Sequence, residues 1–188
     1  MSGYSALVPL APRLKHLRLK ERFVPGTLSA LTGLESLVMR VPKRQNKYVT
    51  PVLRNLRQLK TLELSLYGVP PQSLRALTQL QGLKFECRDD VPKGTLPTGQ
   101  WLNGLQRLVA PAATLRAGFN DFVASPNLLA VKALVTSDEE AAHLLVDMYT
   151  LNPWPVQWDL SFDCSCPRTL QDLKDRLFAS LMPEIPPR

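Results

Sequence analysis

Leucines recur along the first two-thirds of the chain in a short motif, L-x-x-L-x-L. Copies begin at Leu14, Leu34, Leu59, Leu80, Leu105 and Leu128. The copy at Leu105 is weaker than the first four, and the copy at Leu128 is degenerate. The intervals between them are 20, 25, 21, 25 and 23 residues, and such regularity is typical of an array of similar structural units. Because the end of the motif alternates with period two, it predicts a short strand with its leucines on one face.

A second pattern precedes each predicted strand, where leucines step by three residues. The segments GTLSALTGLESLVM, PVLRNLRQLKTLEL and QSLRALTQLQGLKF are near copies of one another. Steps of three suit a helical or 3-10 turn that returns over the outside of the sheet. The alternative is a leucine-rich helical protein, but steps of three followed by two drift off the face of an amphipathic helix. Two glycines and several prolines also disfavour long helices: Gly33, Gly82, Pro25, Pro42, Pro51, Pro70, Pro71 and Pro92.

These segments resemble the leucine-rich-repeat family, in particular its plant-like consensus L-x-x-L-x-x-L-x-x-L-x-L, over about residues 12–135. The resemblance implies an α/β solenoid with a parallel sheet on its concave side and helical turns on its convex side. It also implies a role in protein binding. The family commonly places an asparagine after each strand, whereas this chain has Arg22, Pro42, Tyr67 and Arg88 there. We therefore expect the turns to satisfy their backbone groups differently, with long polar loops at 41–50 and 86–98.

The last third of the chain changes character, and we treat residues 1–188 as a single domain with longer units at this end. Ser137 and Glu140 form a capping-box pattern that predicts a helix to about Tyr149. Residues 155–162 alternate as a strand, and residues 169–181 predict a last amphipathic helix. The region 136–182 is interpreted either as late strand–helix repeats or as a terminal cap. Residues 183–188 form a proline-rich tail.

Composition narrows the class of protein. The chain is 45% hydrophobic and 21% charged, and 35 of its 188 residues are leucine. No apolar run approaches the 18 or so residues of a membrane span, and the first 12 residues do not have the pattern of a signal peptide. The three cysteines form no even-numbered disulfide framework. We expect an intracellular, most simply cytoplasmic, protein.

Charge is distributed unevenly along the chain. Residues 1–60 carry 12 Lys/Arg and 2 Asp/Glu, whereas residues 121–188 carry 5 and 10. In the family arrangement, residues between the strand leucines lie on the concave face. The partner-binding residues predicted there are His16, Arg18, Lys20, Arg40, Lys84 and Arg107, joined by a basic loop at Lys43, Arg44 and Lys47. A basic face favours an acidic partner; alternatively, these cations only solubilise the surface or pair with the acidic end of the chain.

Other chemistry has little support in the sequence. Cys164 and Cys166 lack the further ligands of a metal site. His143 has Asp147 four residues later as a candidate partner, but no nucleophile motif accompanies them. No phosphate-binding glycine motif occurs. We therefore expect no catalytic residues, metal or cofactor, and we interpret Trp101 and Trp158 as core residues.

Two functions remain open. The first is a non-catalytic protein–protein interaction module that binds a partner, acidic in character, on its concave face. The alternative is phosphate-backbone binding of nucleic acid through residues 13–60, where Phe23 and Tyr48 are the aromatic residues. We expect no membrane association and no small-molecule substrate.

Overall fold

The alternating leucine segments form short parallel strands. The computed structural model describes residues 13–20, 22–88, 94–123, 125–150 and 157–162. Within these residues the chain is an α/β protein with one open sheet of seven parallel strands. The strands are β1 (His16–Leu19), β2 (Ser36–Arg40), β3 (Thr61–Leu66), β4 (Gly82–Cys87), β5 (Arg107–Pro111), β6 (Ala130–Val135) and β7 (Gln157–Phe162). Their spatial order is their chain order, so each connection leads to the adjacent strand.

The register of the sheet aligns the central residue of each leucine motif. The aligned residues from β1 to β6 are Leu17, Leu37, Leu62, Leu83, Leu108 and Val131. All of them except Leu17 are at most 2% exposed. The weak and the degenerate copies of the motif therefore both form strands of the same sheet. Because the aligned side chains pack as one continuous row, truncating a central one such as Leu62 to alanine is expected to cost about 2–5 kcal/mol.

Helices and 3-10 turns cover the leucine side of the sheet. The helices are α1 (Pro25–Ser29), α2 (Asn46–Asn55), α3 (Ala112–Ala117), α4 (Phe119–Val123) and α5 (Asp138–Thr150), and the 3-10 turns are Lys43–Gln45, Gln72–Ala76 and Gln100–Gly104. The predicted three-residue leucine steps fall on these turns, where Leu74, Leu77 and Leu80 are fully buried. The alternate strand residues point to the opposite side. We call that side, formed by the residues between the strand leucines, the open face.

The segment 41–50 was predicted as a long polar loop, and this prediction is wrong. It contains the 3-10 turn Lys43–Gln45 and the first half of α2, which also includes Pro51. Val49, Val52 and Leu53 are buried in the core, and their i, i+3, i+4 spacing is that of a helix face. Burial of this face outweighs the backbone hydrogen bond that an interior proline removes. In the other predicted loop, Glu86 and Cys87 belong to β4, residues 94–99 are irregular, and residues 89–93 lie outside the described residues.

Side-chain amides satisfy backbone groups where the asparagine ladder is missing. The Gln45 side chain accepts a hydrogen bond from the Phe23 amide at 3.1 Å and donates one to the Phe23 carbonyl at 2.8 Å. The next residue, Asn46, donates from Nδ2 to the Tyr67 carbonyl. Two consecutive residues thus link the turn after β2 to the turns after β1 and β3. The expectation that the turns satisfy their backbone groups differently is confirmed here.

The predicted helix and strand of the last third are present. Ser137 accepts a hydrogen bond from the Glu140 amide at 3.2 Å and so caps α5. Glu140 accepts from the amides of Thr136 and Ala113, each at 2.8 Å, so it ties α5 to α3 in addition to closing the helix start. Since β7 pairs in parallel with β6, this region extends the sheet. The predicted helix 169–181, the tail and the start of the predicted strand at 155–156 lie outside the described residues.

Candidate functional site

The open face carries three rows of side chains that run across the strands. The middle row, in register order, is Arg18, Val38, Glu63, Lys84, Val109, Lys132 and Asp159. The predicted residues His16 and Arg107 lie in the row on its amino-terminal side, and Arg40 lies in the row on its carboxyl-terminal side. All three are exposed, as are Arg18 and Lys20, and Lys84 is partly exposed. The structure therefore places all six predicted face residues on one surface.

A groove of about 360 Å³ lies at the carboxyl ends of β1 to β4 on this face. Its cationic lining residues are Arg18, Lys20, Arg40 and Lys84, and its acidic ones are Glu63 and Glu86. Buried Leu19, Met39, Leu64 and the nearly buried Ser65 belong to the same lining. Because these four residues are buried, most of the surface that lines the groove is polar. Four of the six predicted face residues line it, whereas His16 and Arg107 do not.

Two lysines of the open face, Lys84 and Lys132, have a carboxylate partner, whereas Arg107 on β5 has none among the described residues. Lys84 Nζ lies 2.8 Å from Glu86, and Lys132 Nζ lies 3.0 Å from Asp159. The hydrogen bond to Glu86 raises the pKa of Lys84 above its ordinary value, and the negative charges of Glu86 and Glu63 raise it further. Partial burial and the positive charge of Arg40 oppose this shift. Lys84 therefore stays protonated and has an internal counter-ion.

A second set of paired charges lies just before the strands begin. Lys15 and Lys60 donate to the two oxygens of Glu35 at 2.9 and 2.7 Å. The hydrogen bonds from Lys60 and Lys15, with the positive charges of both, lower the pKa of Glu35 from 4.5 to about 2. The three residues precede β1, β2 and β3, so the bridge crosses three successive strands. The sequence alone did not indicate this bridge.

Three cations at the β1–β2 end of the groove have no such partner. We call Arg18, Lys20 and Arg40 the basic triad. Within the described part of the chain, no carboxylate lies within 4 Å of a charged nitrogen of the triad. Arg18 and Arg40 lie on neighbouring strands, where like charges repel. The triad is therefore a local excess of positive charge that the described residues leave unneutralised.

A shallow apolar area adjoins the groove toward β5. It has a volume of about 250 Å³, and Val38, Gly82 and Val109 lie along it. A Cβ atom at Gly82 would meet only the Thr61 methyl group, at 3.6 Å, which is an ordinary contact. The open face therefore has space above Gly82, and Glu63, Lys84 and Arg107 also line this area. It shares Val38, Glu63 and Lys84 with the charged groove.

The predicted basic loop is part of an ordered turn. Lys43 and Arg44 lie in the 3-10 turn after β2, and Lys47 lies in the first turn of α2; all three are exposed. Lys47 Nζ lies 5.1 Å from the centre of the Tyr48 ring. Two strands further on, the Arg88 guanidinium lies 4.9 Å from the centre of the Tyr67 ring. Sequence reasoning missed the second pair, because Tyr67 and Arg88 are brought together only by the sheet register.

The remaining candidates are placed as follows. His143 is exposed, and its suggested partner Asp147 instead accepts a hydrogen bond from Arg116 at 2.8 Å, so that pairing was wrong. Trp101 is fully buried and donates from Nε1 to the Pro97 carbonyl at 2.7 Å, which confirms it as a core residue. Cys164, Cys166 and the side chain of Trp158 lie outside what the structure describes. In the described ranges no cluster of His, Cys, Asp and Glu suits a metal ion, and no helix is long and apolar enough to cross a membrane.

No protein-family model matches the chain, and no curated protein matches it.

Proposed function

We propose that the chain is a leucine-rich-repeat solenoid that serves as a non-catalytic protein–protein interaction module. The aligned leucines, the chain-order parallel sheet and the helical turns on one side support this assignment. In such a solenoid the open face is the concave side, which presents a wide surface for a partner. No histidine or cysteine lines the groove, and this supports binding over catalysis. The odd number of cysteines supports an intracellular, cytoplasmic location.

The observation that carries the proposal is the basic triad. Lys84 and Lys132 on the same face have carboxylate partners within the chain, whereas Arg18, Lys20 and Arg40 have none among the described residues. Adjacent like charges without a partner lower the stability of the fold slightly. A ligand that supplies the missing negative charge relieves this repulsion. The partner is therefore an acidic surface or segment, which the positive field attracts and orients.

The test is a charge reversal on the open face with a matched control on the helical side. The partner is captured by a photo-crosslinker placed at Ser36, and its affinity is measured for wild type, Arg18→Glu/Arg40→Glu, and Arg54→Glu/Arg57→Glu. The two double variants change the net charge equally, and all four arginines are exposed. We expect a loss of roughly 100-fold for the first variant, the size of two lost charge-assisted contacts, and little change for the second. Equal losses would mean that net charge alone is involved, and no loss in either would exclude the triad.

Nucleic-acid binding through residues 13–60 is the second candidate. The specific observation in its favour is that two cation–aromatic pairs, Lys47–Tyr48 and Tyr67–Arg88, lie in the turns that follow β2 to β4, at the edge that also carries Lys43 and Arg44. Tyr48 is exposed and Tyr67 is partly exposed, and aromatic rings beside cations suit the stacking of unpaired bases. The test is retention of single-stranded DNA and RNA at low and at moderate salt, with Lys43→Glu/Lys47→Glu as the variant. Phosphate contacts predict binding that falls steeply with salt; absence of retention at low salt would exclude this function.

A further inference from the structure

The charges of the groove follow a definite order across the strands. β1 and β2 contribute the basic triad, β3 contributes Glu63, and β4 contributes the closed pair Lys84–Glu86. Glu63 is exposed, and no cation of the described chain lies within 4 Å of its carboxylate. Two unsatisfied charges of opposite sign therefore lie side by side: a positive one over β1–β2 and a negative one over β3. A ligand that satisfies both must carry an acidic group and a basic group in that order.

The distance between these two charges defines the spacing in the ligand. Neighbouring strands lie about 4.8 Å apart, so the midpoint between β1 and β2 lies about 7 Å from β3. In an extended peptide, side chains two residues apart point the same way and are separated by about 6.6 Å. An extended peptide that crosses the strands therefore places residue i over the triad and residue i+2 over Glu63.

We propose that the groove recognises an extended peptide segment with an acidic residue and a basic residue two positions apart, and that Glu63 reads the basic residue. This inference rests on the proposed function, because it names the segment that the open face binds. The acidic side chain accepts hydrogen bonds from Arg18, Lys20 and Arg40, and the basic side chain donates to Glu63. The Lys84–Glu86 pair closes the charged groove at β4, so that a peptide residue further on meets the apolar area at Gly82 and Val109.

A continuous polyanion fits this groove less well. Two of its six charged lining residues, Glu63 and Glu86, are carboxylates, and they repel a phosphate backbone that runs across all four strands. The volume of about 360 Å³ accommodates a few amino-acid side chains. A peptide that alternates its charge avoids the repulsion and uses both kinds of side chain.

The test selects random peptides of about 12 residues displayed on phage, with four forms of the full chain as bait. These are wild type, Glu63→Gln, Gln58→Lys and Arg18→Glu/Arg40→Glu. Gln58 is exposed on the turn before β3, so Gln58→Lys reproduces the charge change of Glu63→Gln away from the open face. We expect wild type and Gln58→Lys to enrich the acid-x-base pattern, Glu63→Gln to enrich acidic residues without the base, and the double variant to enrich neither.

The selected peptide is then measured beside its counterpart with the basic residue changed to glutamine. We expect about a tenfold loss of affinity for wild type and no loss for Glu63→Gln, which isolates the pairwise interaction. Loss of the base preference in Gln58→Lys as well, or its persistence in Glu63→Gln, would overturn the role of Glu63 while leaving the proposed function intact. Peptides that bind the double variant as well as wild type would overturn the proposed function itself. Peptide recognition would be overturned if no peptide were enriched. It would also be overturned if a single-stranded oligonucleotide displaced the peptide whether or not the peptide carries its basic residue.

Discussion

The two halves of the open face differ in how far their cations are paired with carboxylates. On β4 to β7, Lys84 and Lys132 have carboxylate partners at 2.8 and 3.0 Å, and Arg107, which lies outside the groove, has none among the described residues. On β1 and β2, Arg18, Lys20 and Arg40 have none within the described residues, although the same two strands are preceded by Lys15 and Glu35, which pair with each other. Pairing is therefore available in both halves of the sheet. Within the groove, the triad is therefore the set of cations that has no carboxylate partner among the described residues.

This difference indicates where a ligand contributes most. A cation that already has an internal partner must give up that contact before it binds an external acid, so the net gain is small. A cation without a partner only has to lose its bound water. We therefore attribute ligand binding to β1–β3 and regard the paired cations as part of the folded protein's own charge balance.

Among single substitutions, the largest loss of affinity is expected when the first half of the open face is given an internal acid. In Val38→Glu the new carboxylate lies opposite Arg18 in the register and two residues before Arg40. Because this carboxylate pairs with the cations of the triad, the affinity for the acidic partner should fall by roughly 30-fold, as for loss of one strong charged contact. The measurement is titration of the partner, or of a selected peptide, into each variant.

Val109→Glu is the matched control for this change. Val109 is half-buried in the same row and lies between Lys84 and Lys132, whose charges are already paired. The same change in charge and size should therefore alter affinity by less than about threefold. If both substitutions weaken binding equally, the ligand spans the whole face, and the distinction between the two halves is wrong.

A smaller effect is expected when the second half is made to resemble the first. Glu86→Gln removes the carboxylate that holds Lys84 and leaves the lysine facing the groove. Affinity for a purely acidic peptide should rise about threefold to tenfold, since one more cation becomes available. Binding titrations with Asp159→Asn as the control check this, because that variant frees Lys132 outside the groove. An unchanged affinity for Glu86→Gln would show that Lys84 does not reach the ligand.

Much of the sheet was predictable because its signal is periodic. The leucine intervals predicted six strands, and the register places the degenerate copy at Leu128 beside the others. Residues 41–50 were mispredicted because Pro51 and the basic residues suggested a loop, whereas Val49, Val52 and Leu53 formed a buried helix face only once the neighbouring turns were in place. Local propensity is a weak guide when tertiary packing supplies most of the stability of a short helix.

The candidate site was predictable in position but not in its charge pairing. The strand pattern assigned six residues to one face. The register places five of them there, and Lys20, just after β1, lines the groove on that face. Which cations are neutralised depends on side-chain geometry: Lys84 has Glu63 on the neighbouring strand and Glu86 on its own, and it pairs with Glu86. Lys132 and Asp159 escaped notice because their strands carry the most degenerate form of the motif. The sequence therefore predicted a basic face, and the structure reduces its unneutralised part in the groove to three side chains.

The smallest effect concerns the bridge that precedes the strands, which belongs to neither half of the groove. The pKa of Glu35 is lowered from 4.5 to about 2 by Lys60 and Lys15. A carboxylate with a lowered pKa in the folded protein stabilises it above the unfolded value of 4.5, and this contribution is lost as the pH falls toward 2. Thermal melts of wild type and Glu35→Gln should therefore differ by a few degrees near neutral pH, and the difference should shrink steadily between pH 4.5 and 2.

The control for this experiment is Glu63→Gln, which removes an exposed carboxylate that has no ion pair among the described residues. Its melting difference from wild type should not share the dependence of Glu35→Gln on pH. Added salt should reduce the Glu35 difference at neutral pH, because both lysine partners are about half exposed and are screened by ions. A Glu35 difference that persists unchanged to pH 2 would mean that the side chain stabilises the strands by packing. The bridge would then not be evidence of stabilising charge pairing at the start of the strands.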